Sequence, residues 1–226
     1  MKILVIAAHP DDEVLGCGGT ITRFASEGAE VSILILANGL TSRTDFDATQ
    51  EKKLLSIHHE RARRAANILR AKEVNFAGFP DQRLDTLPLL EVTQRIEREI
   101  NHIKPEVVFT HHGGDLNMDH SITFRATLTA TRPVTGHSVR TLYSYETPSS
   151  TEWSFAQFDP QYKPNVFFDI NSTLELKIEA MQVYESESRL FPHPRSPEVL
   201  RAIAYRWGSY VGLPAAEAFQ CIRTIK

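Results

Sequence analysis

The sequence predicts an α/β protein, a Rossmann-like three-layer sandwich with a mainly parallel sheet and its active site at the C-terminal ends of the strands. Unbroken apolar runs rich in Ile and Val suit strands buried on both faces. Helical patterns separate these runs, and the order strand, loop, helix recurs four times along the first part of the chain. Two loops dense in His and Asp follow two of the runs, which is where such folds carry their chemistry.

The elements follow in order. Residues 2–8 (KILVIAA) read as the first strand. In VLGCGGTITRFASEG, Leu15, Ile21 and Phe24 share a helical face and Gly28 is a stop signal. VSILILA (31–37) is the second strand, residues 38–50 a polar loop, and Leu54, Ala62, Ala65 and Leu69 mark the next helix. VNFAG (74–78) is a short third strand, followed by FPDQRLDTLP and a helix from about Leu89 to His102, with Pro105 beyond it. EVVFT (106–110) leads through HHGGDLNMDH into a helix over about 121–131. Further on, TLYSYE and NVFFDI read as strands, 171–187 and 197–208 as helices, and EAFQCIRTI as a last strand, their order in the sheet left open. The Pro- and Ser-containing stretch 147–164 reads as an excursion over the active-site edge.

A chain of 226 residues suits a single domain spanning 1–226. With 42% hydrophobic and 23% charged residues its composition is that of an ordinary globular protein. A net charge of −3 and the absence of a Lys/Arg-rich run argue against nucleic acid as a partner. No stretch approaches the roughly 20 apolar residues of a membrane span, and acidic residues follow the N-terminal apolar run where a signal peptide has small ones. Cys17 and Cys221 build neither a disulfide framework nor a cysteine zinc cluster, which fits a reducing cytoplasm. Self-association into a homo-oligomer is left open.

His9-Pro10-Asp11-Asp12-Glu13 puts an imidazole and three carboxylates in five residues after the first strand. Zinc takes nitrogen and oxygen ligands, and catalytic zinc sites use three protein ligands with an open fourth position. His9 and Asp12 can supply two, His120 at the end of the second loop a third, and Asp11 remains to handle protons. Helix capping alone would account for the carboxylates. It would not account for His9, nor for a second His/Asp-rich loop at the matching edge. Asp119, beside His120, is placed to orient an imidazole by hydrogen bonding.

AHPDDE after an N-terminal strand and GDLNMDH further on resemble the two motifs of the LmbE-like (PIG-L) deacetylases. The resemblance runs in the same order through LGCGGTI, Ser42-Arg43, GFPDQRLD and SPEVLRAIAYRWGS, and so covers most of the chain. It implies zinc-dependent removal of an acetyl group from an N-acetylglucosamine-type sugar, with His9, Asp12 and His120 as ligands and Asp11 as general base. It also implies that Arg43 and Asp81 hold sugar hydroxyls. Such a ligand set also accepts Fe²⁺, Co²⁺ or Mn²⁺.

One position departs from the family pattern: Asn117 stands where some members carry a histidine assigned to the oxyanion. Asn117 can donate a hydrogen bond but no proton, so His111, His112 and His193 are the other candidates for contacts to the reacting group or substrate. His193 ranks first because FPHPRSP resembles a family segment near the site.

GCGGT lacks the spacing of a dinucleotide fingerprint and reads as close helix–strand packing. His58-His59, followed by ERARR, reads as a boundary residue and a solvated helix face. Trp153 and Trp207 either line a sugar face or pack. The competing functions are another metal-dependent hydrolase, an amidase or phosphoesterase, and a non-catalytic sugar-binding protein.

Overall fold

The structure is a computed structural model that describes residues 1–39 and 48–226. Its first half alternates strand and helix: β1 (Lys2–Ala7), α1 (Asp12–Ser26), β2 (Glu30–Ala37), α2 (Ala48–Ile68), β3 (Glu73–Phe79), α3 (Leu89–Ile103), β4 (Val107–His111) and α4 (Met118–Ala130). There follow β5 (Thr141–Tyr145), β6 (Val166–Asp169), α5 (Leu174–Gln182), α6 (Pro197–Tyr210) and β7 (Ala216–Thr224). The seven strands form one sheet in the order β3-β2-β1-β4-β5-β7-β6. The first five pair in parallel, and β7 runs antiparallel to both neighbours.

The unbroken apolar runs have a direct structural cause. In β1, Ile3, Val5 and Ala7 face the core beneath α1, α2, α5 and α6, while Leu4 and Ile6 face the core beneath α3 and α4. In β2, Val31, Ile33 and Ile35 alternate in the same way with Leu34 and Leu36. Side chains alternate across a strand, so helices on both faces favour apolar residues throughout; the buried Ser32 of β2 is accommodated by donating its hydroxyl to Glu73 at 2.9 Å. A polar substitution on either face of β1 would be buried without a partner.

Gly16 belongs to the glycine-rich start of α1, where an added Cβ would collide with the Tyr145 ring of β5. The Tyr145 hydroxyl in turn donates to the Ile6 carbonyl at 2.8 Å. This close approach ties the loop after β1 to the middle of the sheet.

Two element bounds differ from expectation. α4 starts at Met118, so Asp119 and His120 stand in its first turn instead of ahead of it. The Asn117 side chain caps that turn by accepting from the Asp119 amide at 2.9 Å, a signal masked by the catalytic reading of the same residues. α5 is shorter than the expected 171–187, ending at Gln182 and giving way to turns that reach the site edge.

Candidate active site

β1 and β4 are adjacent and parallel, so the loops that leave their C-terminal ends meet. His9 Nδ1, Asp12 Oδ2 and His120 Nε2 converge there, separated by 3.2, 3.3 and 3.3 Å. All three residues are buried. A tetrahedral ion with ligands at about 2.0–2.1 Å needs its ligand atoms about 3.3 Å apart, so this near-equilateral triangle fits a metal. The other oxygen of Asp12, Oδ1, is buried without a protein partner, as suits a carboxylate turned toward a cation.

The outer nitrogens of both imidazoles meet carboxylates. His9 Nε2 lies 3.1 Å from Asp119 Oδ2, and His120 Nδ1 lies 3.1 Å from Asp115 Oδ1, the latter off the line that a strong hydrogen bond prefers. An imidazole that gives its outer N–H to a carboxylate keeps its inner lone pair for a metal. Asp119 therefore serves His9, across the chain, and not its neighbour His120. Its second oxygen accepts from the Leu84 amide at 3.0 Å.

Asp115 was not singled out from the sequence, although it stands within GDLNMDH. Its carboxylate accepts from the Asn117 amide at 2.8 Å, from the Thr151 hydroxyl at 2.6 Å and from the Ser150 hydroxyl. Thr151 and Ser150 come from the 147–164 excursion, which packs onto the metal loop. Burial alone would raise the Asp115 pKa, but the His120 charge, the contact with His120 and the two hydroxyls hold it down at about 2.

The same carboxylates act on the imidazoles. Burial would lower the His9 pKa, yet Asp119, Asp12 and Asp81 together raise it to about 10. Burial likewise opposes, and Asp12 and Asp115 outweigh it, for His120, at about 9. Without a cation this pocket holds protons, and with one it releases them.

Asp11 has φ of 116° at the start of α1, a backbone conformation strained for any residue but glycine, and its side chain caps nothing. Helix capping thus does not explain it. Instead Asp11 Oδ2 accepts from Arg195 Nη1 at 2.7 Å, and its amide donates to Glu13 Oε2 at 3.0 Å. Burial pushes its pKa well above the usual carboxylate range, with Arg195 opposing. Arg195 also donates from Nη1 to Glu187 at 3.0 Å and from Nε to the Ser149 hydroxyl at 2.7 Å. Glu13, fixed by the Tyr184 hydroxyl at 2.6 Å, is raised to about 7 by burial. Arg195 was passed over although it stands in FPHPRSP, the stretch that resembles a family segment near the site and from which His193 was taken instead.

A cleft of about 530 Å³ opens over this cluster, and His9, Asp11, Asp81, Gln82, Asn117 and Arg195 reach it. Asp81 Oδ1 lies 3.6 Å from His9 Nε2, and burial, partly offset by His9, raises its pKa to about 6. Asn117 donates from Nδ2 to Gln82 at 3.2 Å, and the Gln82 amide lies 3.1 Å from His9 Nε2. Gln82 is thus a cleft residue that the sequence reading passed over.

Other expected residues fall elsewhere. His111 does not line the cleft: it is fully buried, stacked on His120 with ring centroids 3.9 Å apart. Its Nε2 accepts from the Ala8 amide at 2.9 Å, which leaves that nitrogen no proton for Asp12 nearby, and Nδ1 lies 3.2 Å from the Thr147 hydroxyl. Burial and then the His120 charge lower its pKa to about 4. His112 is buried too, its Nε2 2.6 Å from the Pro160 carbonyl. Both support the floor of the site, a correction to their placement against substrate. His193 is half-buried outside the cleft lining, its Nδ1 accepting from the Arg195 amide at 3.1 Å and its ring edge-on to the exposed Trp153. Trp207 packs in a small cluster with Ala216 and Ala218. Arg43 lies outside the described residues.

Residues 4–131 match the family model described as PIG-L, GlcNAc-PI de-N-acetylase. The chain belongs to the PIG-L family. This PIG-L protein is 30% identical over 190 residues to the uncharacterized deacetylase YaiS of Escherichia coli K12, covering 81% of this chain and 90% of that one. It is 27% identical over 239 residues to the diacetylchitobiose deacetylase of Thermococcus kodakarensis, covering 98% and 83%. The solved structure of GalB, the 4-carboxy-2-hydroxymuconate hydratase of Pseudomonas putida KT2440, superposes with a TM-score of 0.77 at 23% identity over 100% of this chain and 97% of that one. At that identity the likeness is one of fold alone. The protein is a PIG-L deacetylase, an amide hydrolase, with a buried His/Asp/His triad suited to a metal ion. No described helix is long and apolar enough to cross a membrane.

Proposed function

We propose that this PIG-L protein is a zinc-dependent deacetylase that removes the acetyl group from an N-acetylglucosamine-type sugar, releasing acetate and a free amine. The observation that carries the reading is the 3.2–3.3 Å donor triangle of His9, Asp12 and His120 with Asp11 beside it on the cleft. Zinc bound there would bring the pKa of a water toward about 7 and polarise the acetyl carbonyl.

The chain's own groups do the rest. Asp11, held by Arg195, takes the proton of the attacking water on its carboxylate and returns it to the departing amine. Its raised affinity for a proton suits both halves of that exchange. Asn117 at the cleft supplies an N–H toward the oxygen that gains charge, with His193 the other donor proposed for that task. Asp81 and Arg43 hold sugar hydroxyls through charge-assisted hydrogen bonds. Two free cysteines, Cys17 buried and Cys221 partly so, fit a reducing cytoplasm as the place of action.

The test is acetate release from a panel of N-acetylated sugars by zinc-loaded protein and by Asp11→Ala. Zinc-dependent release lost in the variant supports the proposal. Turnover that survives removal of metal or of Asp11 overturns it.

A further inference from the structure

Beyond the metal cluster, the cleft has a second group of walls, α2 and the turns at 184–195. These bring His58, Arg61 and Arg189 to the cavity. The lining carboxylates are already engaged: Asp11 and Glu187 both receive Arg195, at 2.7 and 3.0 Å, and Asp81 faces His9 at 3.6 Å. Arg61 meets Glu185 at 3.1 Å, but Glu185 is 78% exposed. A solvent-facing pair of that kind contributes little and gives way readily. Arg189 is exposed and has no partner among the described residues.

We propose that Arg61 and Arg189, with His58 beside them, form an anion subsite that takes a phosphate or carboxylate on the aglycone of the acetylated sugar. The inference deepens the deacetylase proposal by naming the class of substrate for the same cleft, and rests on it for the acetamido end alone. Guanidinium groups bind carboxylate and phosphate oxygens in pairs, with a geometry that ammonium lacks. His58 adds a neutral partner, because burial and then the Arg61 charge lower its pKa. Its Nδ1 lies 3.2 Å from where a Gly39 Cβ would stand, at the end of β2. At about 530 Å³ the cleft falls in the ordinary range of small-molecule sites, roughly 300–1,000 Å³, and its lining runs from the metal cluster to Arg61 and Arg189. The stretch HHERARR, read from the sequence as a solvated face, thus gives the cleft one residue per helical turn: His58 and Arg61 face it, while His59 stacks on Phe76 and Arg63 lies over the same ring.

The test separates binding from turnover. Calorimetry on the zinc-loaded protein compares three deacetylated sugars: glucosamine 1-phosphate, glucosaminyl glycerate and methyl glucosaminide. A charge-assisted contact corresponds to about tenfold in affinity. At least one anionic sugar should bind about tenfold or more tightly than the neutral one, and which of the two does so names phosphate or carboxylate. The preference should fall to near unity in an Arg61→Ala/Arg189→Ala variant whose melting temperature matches wild type. Equal binding of all three sugars by wild type overturns the subsite. So does a preference retained in the double variant, which would point to direct contact of the anion with the metal. Because these sugars need no turnover, failure to release acetate from their acetylated forms would count against the deacetylase proposal and leave the binding result to decide the subsite.

Discussion

The floor and the rim of the cleft are built in different ways. On the floor, the metal-facing groups are held by their neighbours: Asp119 stands behind His9, Asp115 behind His120, Ser150 and Thr151 behind Asp115, and Asp12 Oδ2 accepts from the His9 amide at 2.8 Å. At the rim, Arg189 is exposed and, among the described residues, Arg61 is paired with the exposed Glu185 alone. The contrast separates chemistry from recognition. Reacting groups need geometry set in advance, whereas a charged rim needs only to offer its charge to an incoming ligand. Changes to the floor should therefore cost turnover or metal, and changes at the rim should cost substrate choice.

The largest effect belongs to Asp11. Asp11→Asn should lower kcat by about 10²–10⁴-fold, the usual worth of a general acid–base, with zinc stoichiometry unchanged by metal analysis. Next comes Arg195, which holds Asp11 and joins floor to rim. Arg195→Ala should lower kcat by up to about 10²-fold through misplacement of the base, and Arg195→Lys should recover part of that loss at unchanged KM. If KM rises and kcat holds, Arg195 belongs to the rim.

Asp115→Ala and Asp119→Ala sharpen the floor further. Each should weaken zinc binding by about 10–100-fold, as read by competition with a chelator, and a rim variant should not. The pH dependence of zinc affinity follows from the same contacts. His9, at about 10, and His120, at about 9, hold protons when no cation is bound, whereas metal ligation requires neutral imidazoles. Protons therefore compete below those values, and zinc affinity should rise at least tenfold per pH unit from pH 6 to 8, one proton or more leaving per ion. A flat profile would mean that the imidazoles are neutral before the metal arrives.

The floor was largely legible in the sequence and the rim was not, for a physical reason. A parallel strand buried on both faces writes an unbroken apolar run, so Ile3 to Ala7 announced β1 and made the end of that strand a place to look. His9, Asp11 and Asp12 follow it within a few residues, and His120 follows the neighbouring strand. Asp115 stood in the same motif, but its task depends on which way the His120 ring faces. His111 and His112 looked like cleft residues because they follow an apolar run. Yet His111 is the last residue of β4, and its position in the strand sends it beneath His120. Arg61 reaches the cleft only through packing of α2 against the first loop, an approach that no local pattern encodes. Arg195 stood in FPHPRSP, whose resemblance pointed to the site but not to which of its side chains turns toward Asp11.

The most direct test of the central claim is a zinc titration of metal-free protein, with acetate release from an N-acetylated sugar substrate read at each step. Activity should rise in proportion to bound zinc and level off at one ion per chain, and His120→Ala should show no such rise. Full turnover without metal, or a plateau unaffected by loss of His120, would contradict the account.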